Sequence, residues 1–249
     1  MILPRLSLLF LCSIFFFSHA HAALSPKVNV GIDLLFLEEN IEKLKGKRIG
    51  IITNQTSVSS KVQPSVDILR SHATKGQYTI AALFSPEHGL TGTAYASESV
   101  DDSKTLDGIP IFSLHGKTRR PTSDMLKNID LIVYDIQDLG TRSYTYCTTL
   151  FYVMEEAAKH NIEVLVLDRP NPINGLTIDG PMLDESLRSM VGYINVPYCH
   201  GMTIAELARF FNSEYKIGCN LSFIPMKGWN RKMSFADTGL PWVPTDRKS

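Results

Sequence analysis

Leu131-Ile132-Val133-Tyr134 and Val164-Leu165-Val166-Leu167 are uninterrupted apolar runs of strand length. Runs of this kind are typical of strands that are buried on both faces of a sheet. They belong to a series of predicted strands, which are Arg48–Thr53, Tyr78–Phe84, Ile109–Leu114, Asp130–Asp135 and Ile162–Asp168. Because helical patterns separate these strands, the sequence predicts an α/β fold with a mainly parallel sheet and helices on both faces.

Three segments carry a helical pattern. In Ser143–His160, apolar residues recur at the spacing of one helical face, which predicts a long helix. Thr203 and Glu206 form a capping-box pattern and predict a helix that begins after Thr203. A shorter amphipathic helix is predicted after Asp33. Residues 169–200 are rich in Pro, Asn and Gly, and we expect an irregular loop layer or a small subdomain there.

The composition bounds the class of protein. With 249 residues, 44% of them apolar, the chain can bury a sizeable core. Lysine plus arginine equal aspartate plus glutamate at 25 each, so the net charge favours neither a nucleic-acid partner nor an anionic membrane surface. A small or neutral ligand is therefore the expected partner.

The N-terminus has the layout of a signal peptide. Arg5 precedes an apolar run from Leu8 to Phe17, and Ala20-His21-Ala22 follows as a cleavage site. The run is shorter than the roughly 20 residues that cross a bilayer as a helix. We therefore expect that residues 1–22 are removed and that residues 23–249 form one α/β domain. The mature protein is expected to be periplasmic or secreted, without stable membrane insertion.

Three cysteines remain in the mature chain, and this odd number allows at most one internal disulfide. Cys147 lies inside the predicted long helix, which leaves Cys199 with Cys219 as the pair to test. The favoured interpretation is that all three are free thiols that pack as small apolar groups.

Polar clusters follow the predicted strands at the point where each strand ends. The clusters are Asn54-Gln55-Thr56, Ser85–Gly89, His115-Gly116, Asp135–Asp138 and Asp168–Asn171. In open α/β sheets, ligands bind at this carboxyl edge of the strands. The sequence therefore predicts a ligand crevice that these loops build.

Glu87 and His88 lie in Ser85-Pro86-Glu87-His88-Gly89, where proline and glycine restrict the backbone next to a buried strand. A carboxylate at the lip of an apolar strand is partly desolvated, and desolvation raises its pKa toward the range of a general acid. The alternative is a solvated turn glutamate with His88 as a helix cap. These residues alone leave both interpretations open.

Asp135, Asp138 and Arg142 precede the predicted long helix. An arginine here can hold an oxyanion through paired hydrogen bonds. The alternative is an ordinary charge cluster in which Asp138 pairs with Arg142.

Asp168-Arg169-Pro170-Asn171 and His200 are equally open to two interpretations. Asp168 or Asn171 can bind substrate, or Asp168 and Arg169 can attach their loop to the sheet. His200 is either a site residue or a satisfied histidine next to a helix start.

Several motifs are absent from the sequence. It has no Gly-x-Gly-x-x-Gly turn after the first strand, no Gly-Lys-Ser/Thr phosphate loop and no Gly-x-Ser-x-Gly elbow. His-x-x-x-His and Cys-x-x-Cys pairs are also absent. We therefore expect no nucleotide cofactor and no metal site. A metal-dependent hydrolase that uses Asp135, Asp138 and Asp168 is a weaker alternative.

Taken together, these segments resemble one family, the NamZ-type exo-β-N-acetylmuramidases. The matching segments are Gly50–Thr56, Ser85–Gly89, Tyr134–Gly140, Arg142–Tyr146, Leu167–Pro172, Asp179–Pro181 and His200–Thr203. The resemblance implies a Rossmann-like N-terminal catalytic domain and a smaller C-terminal domain. It also implies removal of terminal N-acetylmuramic acid from the non-reducing ends of peptidoglycan fragments, so that muropeptides are the implied partners.

By the same resemblance, Glu87 looks like the catalytic acid of the family. His88, Asp135 and Asp138 are candidates for the second catalytic group. The candidates for sugar contacts are Asn54, Gln55, Arg142, Tyr144, Asp168, Arg169, Asn171 and His200. Glycosidic cleavage needs one group that protonates the leaving oxygen and another that acts as nucleophile or activates water.

The end of the chain departs from the family's pattern. Family members continue past the Leu240-Pro241-Trp242-Val243-Pro244 segment, whereas this sequence stops at Ser249. We therefore expect that the C-terminal domain is missing or is separately encoded. The alternative to an active glycoside hydrolase is a truncated, inactive protein that binds wall sugars.

Overall fold

The computed structural model of the protein describes residues 27–73, 76–95 and 97–245, so the predicted signal peptide lies outside the described residues. The strands are β1 (Arg48–Thr53), β2 (Thr79–Ser85), β3 (Ser103–Lys104), β4 (Pro110–Ser113), β5 (Leu131–Asp135), β6 (Glu163–Leu167) and β7 (Leu221–Ile224). The helices are α1 (Gly31–Leu34), α2 (Glu38–Ile41), α3 (Ser65–Ala73), α4 (Ser123–Leu126), α5 (Thr145–Lys159), α6 (Ile204–Glu214) and α7 (Phe235–Thr238). The predicted α/β fold is confirmed, and the predicted strands are correct to within one residue at each end.

The seven strands form one sheet in the order β3-β4-β2-β1-β5-β6-β7. Neighbouring strands are parallel, except that β3 runs antiparallel to β4. If the six parallel strands alone are numbered along the chain, their order in the sheet is 3-2-1-4-5-6, which is the order of Rossmann-like folds. In such sheets the ligand crevice opens where the strand order reverses, which is here between β1 and β5.

Apolar side chains cover both faces of the sheet. Ile52 packs in a cluster with Phe151 of α5, whereas Ile51 packs in a second cluster with Leu69 of α3. Because successive side chains of a strand point to opposite faces, two adjacent residues supply both clusters. Both isoleucines are fully buried, which explains why the strands read as continuous apolar runs.

The two strongest helix predictions are confirmed. Helix α5 lies inside the predicted range, and α6 begins directly after Thr203. The Thr203 hydroxyl accepts a hydrogen bond from the Glu206 N–H at 3.3 Å, and the Glu206 carboxylate accepts one from the Thr203 N–H at 3.0 Å. These two bonds form the predicted capping box. Within the described residues, no helix is long and apolar enough to cross a membrane.

The prediction of a single helix after Asp33 is wrong. This segment forms the two short helices α1 and α2, and Asp33 lies inside α1. Its carboxylate accepts hydrogen bonds from the Val30 N–H at 2.9 Å and from the Ser60 N–H at 3.1 Å. Asp33 therefore attaches the N-terminal segment to the loop after β1. Sequence analysis missed α3 and β7, because each is short and mixes apolar with polar residues.

Residues 169–200 form an irregular loop layer, as predicted, with a 3₁₀ turn at Glu185–Leu187. Cys199 makes isolated β-bridges to Thr141 and to Asp179, so this layer is attached to the segment before α5. Cys147, Cys199 and Cys219 are free. The interpretation as free thiols is confirmed, and the pairing of Cys199 with Cys219 is wrong.

Candidate active site

Glu87 lies in the loop after β2, at the carboxyl edge of the sheet. It is buried, with 9% of the residue exposed. Its Oε1 accepts a hydrogen bond from the Ser97 N–H at 2.9 Å, and its Oε2 accepts one from the Thr145 hydroxyl at 2.8 Å. Since Thr145 is the first residue of the 15-residue helix α5, the helix dipole favours a negative charge at this position. The alternative of a solvated turn glutamate is wrong.

The pKa of Glu87 reflects opposing influences. Burial raises this pKa, whereas the hydrogen bonds from Ser97 and Thr145 and the charges of His115 and His88 lower it. The net direction is downward, so the carboxylate is ionised at neutral pH. The prediction that desolvation raises the pKa of Glu87 overall is wrong, because the two hydrogen bonds and the nearby imidazoles together stabilise the charged form more than burial destabilises it.

His88 occupies a tight turn next to Glu87. Its backbone has φ of 69°, a left-handed conformation that costs a residue with a side chain roughly 1–2 kcal/mol. The Gly89 N–H donates to the Pro86 carbonyl at 3.1 Å and closes the turn. His88 Nδ1 lies 2.9 Å from the Ala94 carbonyl oxygen. The loop therefore fixes the imidazole beside the carboxylate, and His88 caps none of the described helices.

His115 is a neighbour of Glu87 that sequence analysis left out of the site. It follows β4, which pairs in parallel with β2, so the two strands end side by side. His115 Nε2 lies 3.5 Å from Glu87 Oε1, and 6% of His115 is exposed. Burial lowers the pKa of His115; the charge of Glu87 opposes this effect, and the charges of Arg119 and His88 add to it. The net direction is downward, so the imidazole is neutral at neutral pH.

Two tyrosines at the start of α5 border the site, and only Tyr144 was predicted. The rings of Tyr144 and Tyr146 meet edge to face, with centroids 4.8 Å apart. The Tyr146 hydroxyl donates to the Thr245 carbonyl at 2.5 Å, and the Gln55 amide donates to the same carbonyl at 3.0 Å. Burial raises the pKa of Tyr146, and the charge of Glu87 adds to this rise. The ionisation of the Tyr146 hydroxyl is therefore coupled to the charge of Glu87.

Asn54 begins the loop after β1. Its Oδ1 accepts hydrogen bonds from the N–H of Thr56 at 2.9 Å and from the hydroxyl of Thr56 at 2.6 Å. A cavity of about 370 Å³ lies beside this loop, and its lining includes Asn54, Gln55, Leu83 and Leu90. The combination of apolar walls and a few polar groups suits a neutral ligand.

Asp135 and Arg169 form a buried ion pair below the loops. Arg169 Nε lies 2.6 Å from Asp135 Oδ1, and Arg169 Nη2 lies 2.9 Å from Asp135 Oδ2. Arg169 Nη2 also donates to the Val58 carbonyl at 2.9 Å. Asp135 is fully buried, and 4% of Arg169 is exposed. The pair therefore joins the ends of β1, β5 and β6.

Asp138 and Arg142 are not paired with each other. Asp138 Oδ2 accepts a hydrogen bond from the Gly140 N–H at 3.0 Å, and burial raises the pKa of Asp138 to about 6. Arg142 donates to the carbonyls of Pro181 at 2.7 Å and Val196 at 2.6 Å. The predicted alternative of an Asp138–Arg142 pair is wrong, because Arg142 instead holds the loop layer.

Asp168 connects the end of β6 to the start of α6. Its carboxylate accepts hydrogen bonds from the Arg169 N–H, the Ala205 N–H and the Thr203 hydroxyl, each at 3.1 Å. Burial raises the pKa of Asp168 to about 6, although these hydrogen bonds lower it in part. The contacts correspond to the interpretation in which Asp168 attaches its loop to the rest of the fold.

Asn171 and His200 lie within the loop layer. The Asn171 amide donates to the Met202 carbonyl at 3.0 Å, and its Oδ1 accepts from the Ile173 N–H at 3.0 Å. His200 Nδ1 accepts from the Met202 N–H at 3.1 Å, and burial lowers the pKa of His200 to about 4. Both side chains are buried and hold neighbouring backbone in place.

The structure thus separates the predicted site residues into three groups. Asn54 and Gln55 line the cavity beside the loop after β1, and Tyr144 packs against Tyr146 at the start of α5. Glu87 and His88 lie together with His115 and Thr145, at the ends of β2 and β4 and the start of α5. Asp135, Asp138, Arg142, Asp168, Arg169, Asn171 and His200 hold the loops through contacts with protein groups. Among the described residues, no group of three or more His, Cys, Asp or Glu side chains is arranged to hold a metal ion.

The comparisons with known proteins agree with this architecture. The family model for the N-terminal part of the exo-β-N-acetylmuramidase NamZ matches residues 49–248. The peptidoglycan β-N-acetylmuramidase NamZ of Bacillus subtilis strain 168 is 48% identical over 229 residues, which are 91% of this chain and 54% of that protein.

Two crystal structures of DUF1343 family proteins from Bacteroides fragilis NCTC 9343 are also similar. The first has a TM-score of 0.80 and 44% identity, and covers 88% of this chain and 55% of its own. The second has a TM-score of 0.69 and 34% identity, and covers 83% of this chain and 54% of its own. The chain spans about half the length of these relatives. With the fold, the ordered motifs and these matches in agreement, the chain belongs to the NamZ N-terminal family.

Proposed function

We propose that this chain carries the catalytic site of a glycoside hydrolase that removes terminal N-acetylmuramic acid from the non-reducing ends of peptidoglycan fragments. The observation that carries the proposal is the buried Glu87 carboxylate at the N-terminus of α5. This carboxylate lies at the ligand-binding edge of the sheet. The chain around it is 48% identical to a peptidoglycan β-N-acetylmuramidase.

We assign to Glu87 the protonation of the leaving oxygen, which is one of the two roles that glycosidic cleavage requires. In the free protein the pKa of Glu87 lies below its ordinary value, so the side chain must take up a proton before cleavage. Once the proton has left, the carboxylate is negatively charged again. It then stabilises the positive charge that develops on the sugar ring.

His88 is our candidate for the second catalytic group, because it lies next to Glu87 and its imidazole is fixed by Ala94. Asp135 is satisfied by Arg169, and Asp138 accepts a hydrogen bond from Gly140. We therefore assign Asp135 and Asp138 to the positioning of the loops and not to contact with the sugar.

Asn54, Gln55 and Tyr144 remain the proposed sugar contacts, because Asn54 and Gln55 line the cavity beside the loop after β1 and Tyr144 directly precedes Thr145, which contacts Glu87. The other candidates do not line this cavity, and they make hydrogen bonds to backbone or to buried partners. We propose that they shape the wall of the crevice; they are Arg142, Asp168, Arg169, Asn171 and His200.

We also propose that residues 1–22 direct export, since peptidoglycan lies outside the cytoplasm. The relatives are about twice as long as this chain. The catalytic test therefore also includes the C-terminal half of a relative.

The test uses the mature chain, residues 23–249, and a chromogenic N-acetylmuramide. The chain is assayed alone and with the purified C-terminal half of a family relative, and an intact relative serves as the positive control. We expect release of N-acetylmuramic acid, and a loss of roughly 10²–10⁴-fold in rate for Glu87→Gln, the range for removal of an acid–base group. Glu214→Gln, at the exposed end of α6, is the matched control and should keep the full rate.

An alternative function is binding of wall sugars without turnover. Calorimetry separates the two functions. Muropeptide binding that persists in Glu87→Gln, together with no product from the unmodified chain in either assay, would replace the hydrolase with a binding protein.

A further inference from the structure

Glu87 and His115 form a buried pair of titratable side chains, with 3.5 Å between Oε1 and Nε2. The two residues come from the loops after adjacent strands, β2 and β4. The backbone of His115 is fixed at both of its polar groups. Its N–H donates to the Ser113 hydroxyl at 3.1 Å, and its carbonyl accepts from the Val100 N–H at 3.1 Å. The distance between the two side chains is thus set by the sheet.

The second ring nitrogen of His115 has a different environment. Nδ1 is buried and lacks a hydrogen-bond partner within residues 27–73, 76–95 and 97–245. A proton on Nε2 faces a carboxylate, whereas a proton on Nδ1 faces no acceptor. The geometry therefore favours the neutral tautomer that carries its proton on Nε2, toward Glu87.

The charged and titratable groups around this pair are few. His88 and Arg119 act on His115 with positive charge, and His88 also acts on Glu87. On the helix side, Tyr146 senses the charge of Glu87, and its own pKa is raised, so it remains neutral. Glu87 thus acts on His115 with negative charge and favours its protonated form.

We propose that His115 is a positioning residue that shares a proton with Glu87, so that the two side chains take up and release this proton as a pair. The pairing itself follows from the geometry, and its catalytic consequence rests on the proposed function. His115 does not contact the sugar in this proposal. It determines the pH range in which Glu87 carries the proton that it donates to the leaving oxygen.

The proton balance is simple. In the free protein at neutral pH the pair holds one proton, on the imidazole, and one negative charge, on Glu87. A second proton gives either a carboxylic acid beside a neutral imidazole or a carboxylate beside an imidazolium. During cleavage the O–H bond at Oε1 breaks, the proton moves to the leaving oxygen, and the bond between this oxygen and the anomeric carbon of the sugar breaks. A water molecule adds its hydroxyl to the anomeric carbon and releases its other proton to solvent, so that the pair again holds one proton and one negative charge.

The pairing is tested without turnover. The imidazole signals of the mature chain are followed by NMR as the pH is varied, for the unmodified protein, Glu87→Gln and the control Glu214→Gln. Because the Glu87 charge favours a protonated His115, we expect the pKa of His115 to fall in Glu87→Gln and to stay constant in Glu214→Gln. The dispersion of the backbone amide signals reports whether the fold is retained. An unchanged His115 titration in folded Glu87→Gln overturns the proposal.

The catalytic consequence is tested with His115→Gln, whose amide can replace the Nε2 donor but cannot take up a proton. A purely structural role predicts an unchanged rate and pH profile for this variant. The shared proton predicts a loss of roughly ten-fold or more at pH 7. As the pH is raised, the activity of His115→Gln should begin to decline at a lower pH than that of the unmodified protein, because an imidazole holds its proton to a higher pH than a carboxylate does.

If His115 titrates with Glu87 but no sugar is released, the pairing stands and the proposed function fails. If sugar is released and the decline is unchanged, the pairing is overturned.

Discussion

Replacement of Asp135 by asparagine should destabilise the protein strongly, because it leaves the Arg169 guanidinium buried without its counter-charge. The two side chains make paired contacts at 2.6 and 2.9 Å, Asp135 is fully buried and Arg169 is 4% exposed. Removal of one partner of a buried ion pair costs about 3–5 kcal/mol. With a urea dependence of roughly 2 kcal/mol per molar, the unfolding midpoint of Asp135→Asn should fall by about 2 M.

The chain supplies a matched control at the opposite end of β5, where Asp130 directly precedes the strand. Arg48 and Asp130 also make paired contacts, at 2.9 and 2.7 Å, but both side chains are largely exposed. Asp130→Asn should therefore shift the midpoint far less than Asp135→Asn. Replacing both members of the buried pair, as Asp135→Leu with Arg169→Met, should recover part of the loss. Equal midpoint shifts in Asp135→Asn and Asp130→Asn would refute the reasoning, as would a double variant less stable than Asp135→Asn.

Two further predictions concern buried polar groups. Burial raises the pKa of Asp138 from 3.8 to about 6. Between these two pH values the folded protein holds a proton on Asp138 that the unfolded chain has lost. The contribution of this group to the free energy of unfolding therefore declines as the pH rises from about 4 to about 6. Relative to the unmodified protein, Asp138→Asn should gain about 2 kcal/mol in unfolding free energy between pH 4 and pH 7, and parallel pH curves would contradict this. Thr203→Ala removes the N-cap of α6 and should cost about 1 kcal/mol in urea unfolding, whereas Thr203→Ser should cost much less.

Sequence patterns predicted the elements that carry the site, because these patterns are local. The apolar run before Asp135 and the capping box at Thr203 each involve residues within a few positions of one another. The same applies to the strand that ends before Glu87, and its polar loop was therefore assigned to the correct edge of the sheet. The mainly parallel sheet and the crevice at its carboxyl edge follow from this alternation of strands and helices, whereas the strand order comes from the structure.

The electrostatics of the site depend on residues that are far apart in the chain. Glu87 receives a hydrogen bond from Thr145, and His115 approaches it from another strand. These contacts lower the pKa of Glu87, whereas its local sequence predicted the opposite direction. Asp135 was likewise predicted as a candidate catalytic group, whereas in the structure its carboxylate is paired with Arg169.

The sequence by itself determined the fold class, the main helices and strands, and the motif that contains Glu87, because periodic burial and capping are encoded over short distances. Only the tertiary structure decided which polar side chains belong to the site and which hold it together. The physical reason is that the charge state of a buried group depends on its burial and on the donors and charges within a few ångströms. Parallel strands bring those groups from separate parts of the chain to a single edge of the sheet.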